Sequence, residues 1–369
     1  MRFDVKKLTV FFIIAFIFSS LAGSKVICAP GKPGKVILDN GLLKISFVPE
    51  LNGMICGFEY LPQKRSMIRP LHYRVEKVDL LPDQIFSSPY GFHCRVWGGN
   101  TRIIDKMQLK KLTSSAAGGC LLTMSSPLTG GLELGTNRQL QLLPGSTVLT
   151  GVIRMTNLQK HTVEHSLWFS CVFSMSRKAA PVLVPVRSSV QRVGKFGVTQ
   201  VSADGILSEL HEGNRNMFFA ALRPWLAGKA PDKPGVIVLK TDDPALEKMI
   251  LYTHKSEDLH TMEIISSPAV LAAGKTCERK FMLLYFPSLN SLRDVCGFYG
   301  IDVKDGALEI ESAVPAVGTV WNINGKEYRI PPLKPGQVHR ISSICLPGKP
   351  LKIRISQKEF TLPREIFLR

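Results

Sequence analysis

Short runs of alternating apolar and polar residues dominate this chain. Leu43, Ile45 and Phe47 alternate with Lys44 and Ser46, the period-two pattern of a strand with one buried face. Lys35–Leu38 and Leu42–Val48 flank Asp39-Asn40-Gly41, and an Asn-Gly step between two such runs predicts a hairpin. Met54–Tyr60 continues the style. Gln139–Leu143 and Ser146–Met155 are joined by the turn signal Pro144-Gly145, and Glu164–Met175 is a longer apolar run suited to a strand inside a sandwich. Strands are also expected at Phe196–Val201, Gly235–Leu239, Thr261–Ile265 and Lys280–Phe286. Helical signal is scarce, and its best case is a short helix at Asp243–Thr253: Asp243 can cap, Pro244 takes the first helical position, and Leu246, Met249 and Ile250 form one stripe.

From about Asp302 the runs shorten. Leu308 and Ile310 alternate with Glu309 and Glu311, Asn324-Gly325 marks a hairpin, and Leu351, Ile353 and Ile355 alternate with Lys352, Arg354 and Ser356. This predicts a small β-sandwich or β-rich extension over 301–369, with its boundary in Ser288–Gly300. The fold class expected is therefore all-β and antiparallel, a large sandwich over 36–290 followed by the small module.

The first residues change the compartment. Arg2, Lys6 and Lys7 precede an uncharged, mostly apolar run from Leu8 to Ser24. That is the pattern of a secretory signal peptide over 1–24, with Ala22 and Ser24 as the small residues before a cut at Lys25. An uncleaved anchor is the rival reading. Either way an exported, periplasmic or extracellular protein is expected, which argues against nucleic acid as the partner.

Composition adds a ligand class. Hydrophobic residues make up 45% and charged residues 21% of the 369, which excludes extensive disorder. Lys and Arg number 47 against 29 Asp and Glu, a net +18, so acidic partners such as anionic glycans come into view alongside a merely solvated basic surface. The eight cysteines contain no CxxC, so zinc is not expected; zero to two disulfides are, with Cys56 and Cys171 read as buried thiols. His161 and His165, four apart on a strand, would stand about 13 Å from each other, too far to share a metal. Gly-x-Ser-x-Gly is absent, and no cofactor is expected.

Phe92-His93-Cys94-Arg95-Val96-Trp97 is the densest cluster of candidate chemistry. If extended, it places His93, Arg95 and Trp97 on one face. An indole can stack on the C–H face of a pyranose, a guanidinium can hold a carboxylate or sulfate, and an imidazole can move a proton near neutral pH. The alternative is a core tryptophan beside an edge-strand arginine. Glu263 and Glu278, both in late strands, either face a cleft together or stand on strand surfaces.

Three stretches together resemble the galactose mutarotase-like superfamily: Asn40 through Ile55 with its Pro49 and Gly53 turn, Arg138 through Asn157 to Phe173, and Ala273-Gly274-Lys275 followed by Phe281–Phe286. The resemblance covers about residues 36 to 287 and implies a large antiparallel supersandwich that binds carbohydrate. The family's epimerases use a His acid, a Glu base and an Asn/Arg pair on the sugar. Gly99-Asn100-Thr101-Arg102-Ile103 is similar to the family's Gly-Asn-Arg-Ile turn with one residue inserted, which makes Asn100 and Arg102 candidate sugar binders. The acid belongs in the strand at Ser166–Met175, which holds no His, and the base belongs just after a Pro-Gly, where Gly274 is followed by Lys275; Glu278 is the nearest substitute. These readings lead to an exported carbohydrate-binding protein without mutarotase chemistry, using Arg95, Trp97, Asn100 and Arg102. The competing readings are an epimerase, lyase or hydrolase on uronate-containing glycans, with His93 and Glu278 as catalytic residues, and a structural envelope protein.

Overall fold

The computed structural model describes residues 24–27, 34–68, 92–97, 106–126, 133–172, 181–185, 206–210, 215–219, 223–229, 234–243, 248–254, 259–342, 351–356 and 365–368. Among these there is no α-helix, and one 3-10 turn at Leu61–Gln63. The first strands are β1 (Ser24–Ile27), β2 (Lys35–Asp39), β3 (Leu43–Val48), β4 (Met54–Tyr60), β5 (Arg65–Ser66), β6 (Phe92–Trp97), β7 (Gln108–Ser114), β8 (Cys120–Ser126), β9 (Leu134–Leu142) and β10 (Val148–Asn157). They are followed by β11 (Val163–Val172), β12 (Pro181–Pro185), β13 (Ile206–Leu210), β14 (Arg215–Phe219), β15 (Trp225–Lys229), β16 (Val236–Thr241), β17 (Lys248–His254), β18 (Leu259–Ile265), β19 (Ala269–Leu271) and β20 (Thr276–Phe286). The chain closes with β21 (Asp294–Cys296), β22 (Tyr299–Lys304), β23 (Ala307–Ser312), β24 (Thr319–Ile323), β25 (Lys326–Ile330), β26 (Val338–Ile341), β27 (Leu351–Ser356) and β28 (Glu365–Leu368).

The strands up to β20 form two sheets. An eleven-stranded sheet runs β1-β2-β3-β4-β6-β11-β18-β17-β14, with β5 beside β4 and β19 beside β11. A nine-stranded sheet runs β13-β12-β15-β16-β20-β10-β9-β8-β7. The main core lies between them, and alternation decides which residues enter it: Phe92, Cys94 and Val96 from β6, Leu167, Phe169 and Cys171 from β11, Met262 and Ile264 from β18, and Phe281, Leu283 and Tyr285 from β20.

The two turns signalled by sequence meet. In the first hairpin Gly41 has φ +86°, and Asn40 Oδ1 accepts from the N–H groups of Leu42 and Leu43. Asn40 Nδ2 donates to Leu143 O at 2.6 Å and Ser146 O at 2.9 Å, on either side of Pro144-Gly145. One amide therefore ties a hairpin of the eleven-stranded sheet to the β9–β10 turn of the other.

The described part of Asp243–Thr253 departs from the helix expected of it. Lys248–His254 is strand β17, paired to β14 on one side and β18 on the other. Met249 and Ile250, neighbours on the expected helical stripe, go to opposite faces of a sheet, Met249 into the core. Two flanking ladders outweigh a local capping signal. The expected strand at Phe196–Val201 lies outside the described residues.

After β20 come two four-stranded sheets, β21-β22-β23-β26 and β25-β24-β27-β28, with Trp321 buried between them and edge-on to Tyr299. The first of these sheets docks on the outer side of the nine-stranded sheet. Leu289, Leu292, Val295 and Ala313 pack against Val148, Trp225, Val236, Leu284 and Phe286. Polar ties accompany the apolar ones: Arg223 meets Asp294 at 2.7 Å, and Lys240 Nζ donates to Val295 O. Buried Glu311 accepts from the N–H groups of Ser288, Leu289 and Gly336.

Cys56, Cys94, Cys120, Cys171, Cys277 and Cys296 are free thiols, and Cys56 and Cys171 are buried. Cys28 and Cys345 lie outside the described residues.

Candidate functional site

The face of the eleven-stranded sheet that points away from the core is built by the residues that core alternation leaves over. On β11 these are Ser166, Trp168 and Ser170; on β18, Thr261, Glu263 and Ile265. Strand β6 lies on the other side of β11. His93, Arg95 and Trp97 occupy the positions that alternate with its core residues, opposite Ser170, Trp168 and Ser166 in turn. Ser170 is also opposite Glu263, and Trp168 opposite Ile265. Glu263, Ser170 and His93 therefore share one cross-strand row, with the backbones of Glu263 and His93 about 9–10 Å apart at ordinary strand spacing.

Glu263 is the centre of this face. It is only 5% exposed. Oε2 accepts from the indole N–H of Trp168 at 2.8 Å, Oε1 from the hydroxyl of Thr261 at 2.6 Å, and the Ser170 hydroxyl also bonds to the carboxyl. Burial pushes its pKa up to about 7, and the three hydrogen bonds pull the other way without overcoming it. No basic group among the described residues forms an ion pair with it. A carboxyl so placed can donate or accept a proton near neutrality, and its indole neighbour offers a flat apolar plate.

The structure brings together some of the residues expected from sequence and separates others. His93, Arg95 and Trp97 fall on one strand, at the register positions beside Trp168. Asn100 and Arg102 lie outside the described residues. Glu278 is elsewhere: it stands on β20 in the nine-stranded sheet, on the face away from the core, exposed and paired with Arg154 at 2.8 Å and Lys280 at 3.6 Å. The whole core lies between Glu278 and β6, so the two late carboxylates do not share a cleft. Lys275 is exposed in the turn around Gly274, between β19 and β20. His165 sits in β11 opposite Ala269, and His161 precedes it in a turn whose carbonyl accepts from Asn157 Nδ2.

What sequence reading missed is the pairing of Glu263 with Trp168. The signal was present in Thr261-Met262-Glu263-Ile264, where Met262 and Ile264 must share the core face and Glu263 must leave it.

No protein-family profile matches the sequence, and no curated protein matches it. Solved structures do. A galactose mutarotase-like protein from Clostridium acetobutylicum is 9% identical with a TM-score of 0.52, over 71% of this chain and 98% of that one. A candidate mutarotase, YeaD, from Salmonella typhimurium is 10% identical with a TM-score of 0.54, over 74% and 99%. The Slr1438 protein from Synechocystis sp. PCC 6803 is 14% identical with a TM-score of 0.50, over 71% and 98%. The fold is galactose mutarotase-like. At these identities the likeness speaks for the fold alone. In this mutarotase-like frame the strand expected to carry an acid His presents Ser166, Trp168 and Ser170 to the outer face, and the carboxyl on that face comes from β18.

Proposed function

We propose that this protein binds a carbohydrate on the outer face of its eleven-stranded sheet, at Trp168 and Glu263. The observation that carries the reading is the bond between them: it holds an aromatic plate and a carboxyl in one orientation, the pair of groups a pyranose ring needs for stacking and for hydroxyl recognition. The register of Arg95 beside Trp168, with the net charge of +18, favours a sugar carrying a carboxylate or sulfate. Export belongs to the same reading and rests on Arg2, Lys6, Lys7 and the uncharged run after them. Neighbours in fold described as a galactose mutarotase-like protein and a candidate mutarotase lend it a sugar context.

The test is a glycan panel on the purified protein at low and physiological salt. Acidic oligosaccharides should bind, more weakly as salt rises, and Trp168→Ala should lower affinity about tenfold or more. Failure of the protein to bind any glycan would overturn the reading.

A second reading, sugar epimerisation, is favoured by one observation: Glu263, a buried carboxyl whose pKa burial pushes up to about 7, shares a cross-strand row with the His93 position. Exchange between anomers, followed by NMR on the bound sugar and abolished in Glu263→Gln, would establish it. Binding without accelerated exchange would leave recognition alone.

A further inference from the structure

Strand β6 carries three positions of the candidate face, yet among the described residues its pairing is uneven. It shares six residue pairs with β11 but only one, Ile55 with Phe92, with β4. Beyond that pair the chain of β4 has turned away through Asn52 and Gly53, both with left-handed φ values of 58° and 57°. Past Phe92 no other described strand pairs with that edge of β6, and backbone carbonyls left off a ladder must be satisfied by other means.

The carbonyl of Cys94, two residues past the last pair, is taken by a side chain from the opposite sheet. Arg138 points inward from β9, between core residues Thr136 and Leu140, and is 4% exposed. Its Nη2 donates to Cys94 O at 2.6 Å and its Nη1 to Asn52 O. Its Nε is buried without an acceptor, and no carboxylate among the described residues pairs with it. A guanidinium buried without a counter-ion is costly, and a leucine in its place would pack more cheaply. What the arginine supplies that leucine cannot is two donors, one for the Asn52 turn and one for β6 directly between His93 and Arg95.

We propose that Arg138 is a positioning residue, holding β6 and with it the His93, Arg95 and Trp97 positions in register beside Trp168 and Ser170 for ligand binding. The proposal rests on the reading that this face binds the ligand. Arg138 works from behind the strand, across the core, and never meets the sugar.

Three variants of the full chain test it: Arg138→Met, which removes both donors; Arg138→Lys, which can serve one carbonyl at a time; and Leu140→Ala, a cavity two residues along the same core-facing row. Backbone amide exchange over 92–97 should quicken about tenfold or more in Arg138→Met, less in Arg138→Lys, and no more than the rest of the sandwich in Leu140→Ala. Affinity for an acidic oligosaccharide that binds the parent protein should fall about tenfold in Arg138→Met, recover in part in Arg138→Lys, and hold in Leu140→Ala where all remain folded. Exchange over 92–97 that matches the parent, or that rises equally in Leu140→Ala, overturns the proposal. So does parental affinity in Arg138→Met. Should Arg138→Met fail to fold, the contrast between Arg138→Lys and Leu140→Ala decides. If the parent binds no oligosaccharide, the functional reading falls, and the exchange data still judge whether Arg138 holds β6.

Discussion

Trp168 and Glu263 are diagonal neighbours on adjacent strands: Glu263 pairs with Ser170, Trp168 pairs with Ile265, and the indole N–H crosses the diagonal to Oε2 at 2.8 Å. Diagonal contacts of this kind are within reach only of long or aromatic side chains. The bond is one-directional, because indole only donates, so the carboxyl must present an acceptor to it in either protonation state.

That relationship gives the stability a pH signature. The folded-state pKa of Glu263 is raised from 4.5 to about 7, so the folded protein keeps a proton that the unfolded chain releases. The stabilisation is fully present below about pH 4.5 and lost as pH climbs through 7. Urea denaturation of the parent and of Glu263→Gln should show the parent losing up to about 3 kcal/mol relative to the variant between pH 5 and pH 8. A constant difference across that range would show that Glu263 does not titrate there.

Glu278 should be dispensable. Its pairs with Arg154 and Lys280 are exposed, and such pairs contribute about 0–1 kcal/mol. Glu278→Ala should melt close to the parent and bind the same oligosaccharides with the same affinity, whereas Glu263→Ala should lose both stability and binding. Equal effects from the two would mean that the outer face of the nine-stranded sheet takes part.

Gly151 should tolerate nothing larger. A Cβ there would lie 2.0 Å from Cε1 of Phe281, overlapping the edge of its ring. Phe281 in turn packs against Phe92 at 5.1 Å and Phe169 at 5.5 Å, the core residues of β6 and β11. Gly151→Ala should cost about 1–3 kcal/mol in a denaturation measurement and disturb the tryptophan fluorescence of the opposite sheet.

Glu311 should hold the last two sheets in place. Its two oxygens accept from three backbone N–H groups, two at the start of the connection after β20 and one at the Gly336 turn. A glutamine would turn its NH₂ toward one of those donors. Glu311→Gln should lower stability by about 1–3 kcal/mol and speed proteolytic nicking between 287 and 293. An unchanged digestion pattern would count against this role.

Much of the fold was legible because it is written in alternation and turns. Asn40-Gly41 and Pro144-Gly145 are local signals, and each marks a turn in the structure. What could not be read was which strands become neighbours. Thr261–Ile265 was recognisable as a strand, but nothing local says that it lies against β11, and only that placement brings Glu263 to Trp168. Glu278 looked equivalent to Glu263 from spacing alone. The difference is that Glu278 lies in the exposed half of β20, before Phe281 enters the core, in another sheet. Asp243–Thr253 misled for the same reason, since its helical signals are local and its two strand partners are remote. The Arg138 contact to Cys94 spans 44 residues and two sheets, and no sequence pattern announces it.

Strand β20 sits inside the nine-stranded sheet, paired with β10 on one side and β16 on the other. Without it that sheet is two unconnected fragments, and the core of both sheets lacks Phe281, Leu283 and Tyr285. The chain must therefore be synthesised through residue 286 before the sandwich can close. Such non-local closure makes for slow folding, and until it happens long strand edges are open to mispairing and aggregation. The late arrival of one central strand thus leaves the nascent chain without a closed nine-stranded sheet for most of its synthesis.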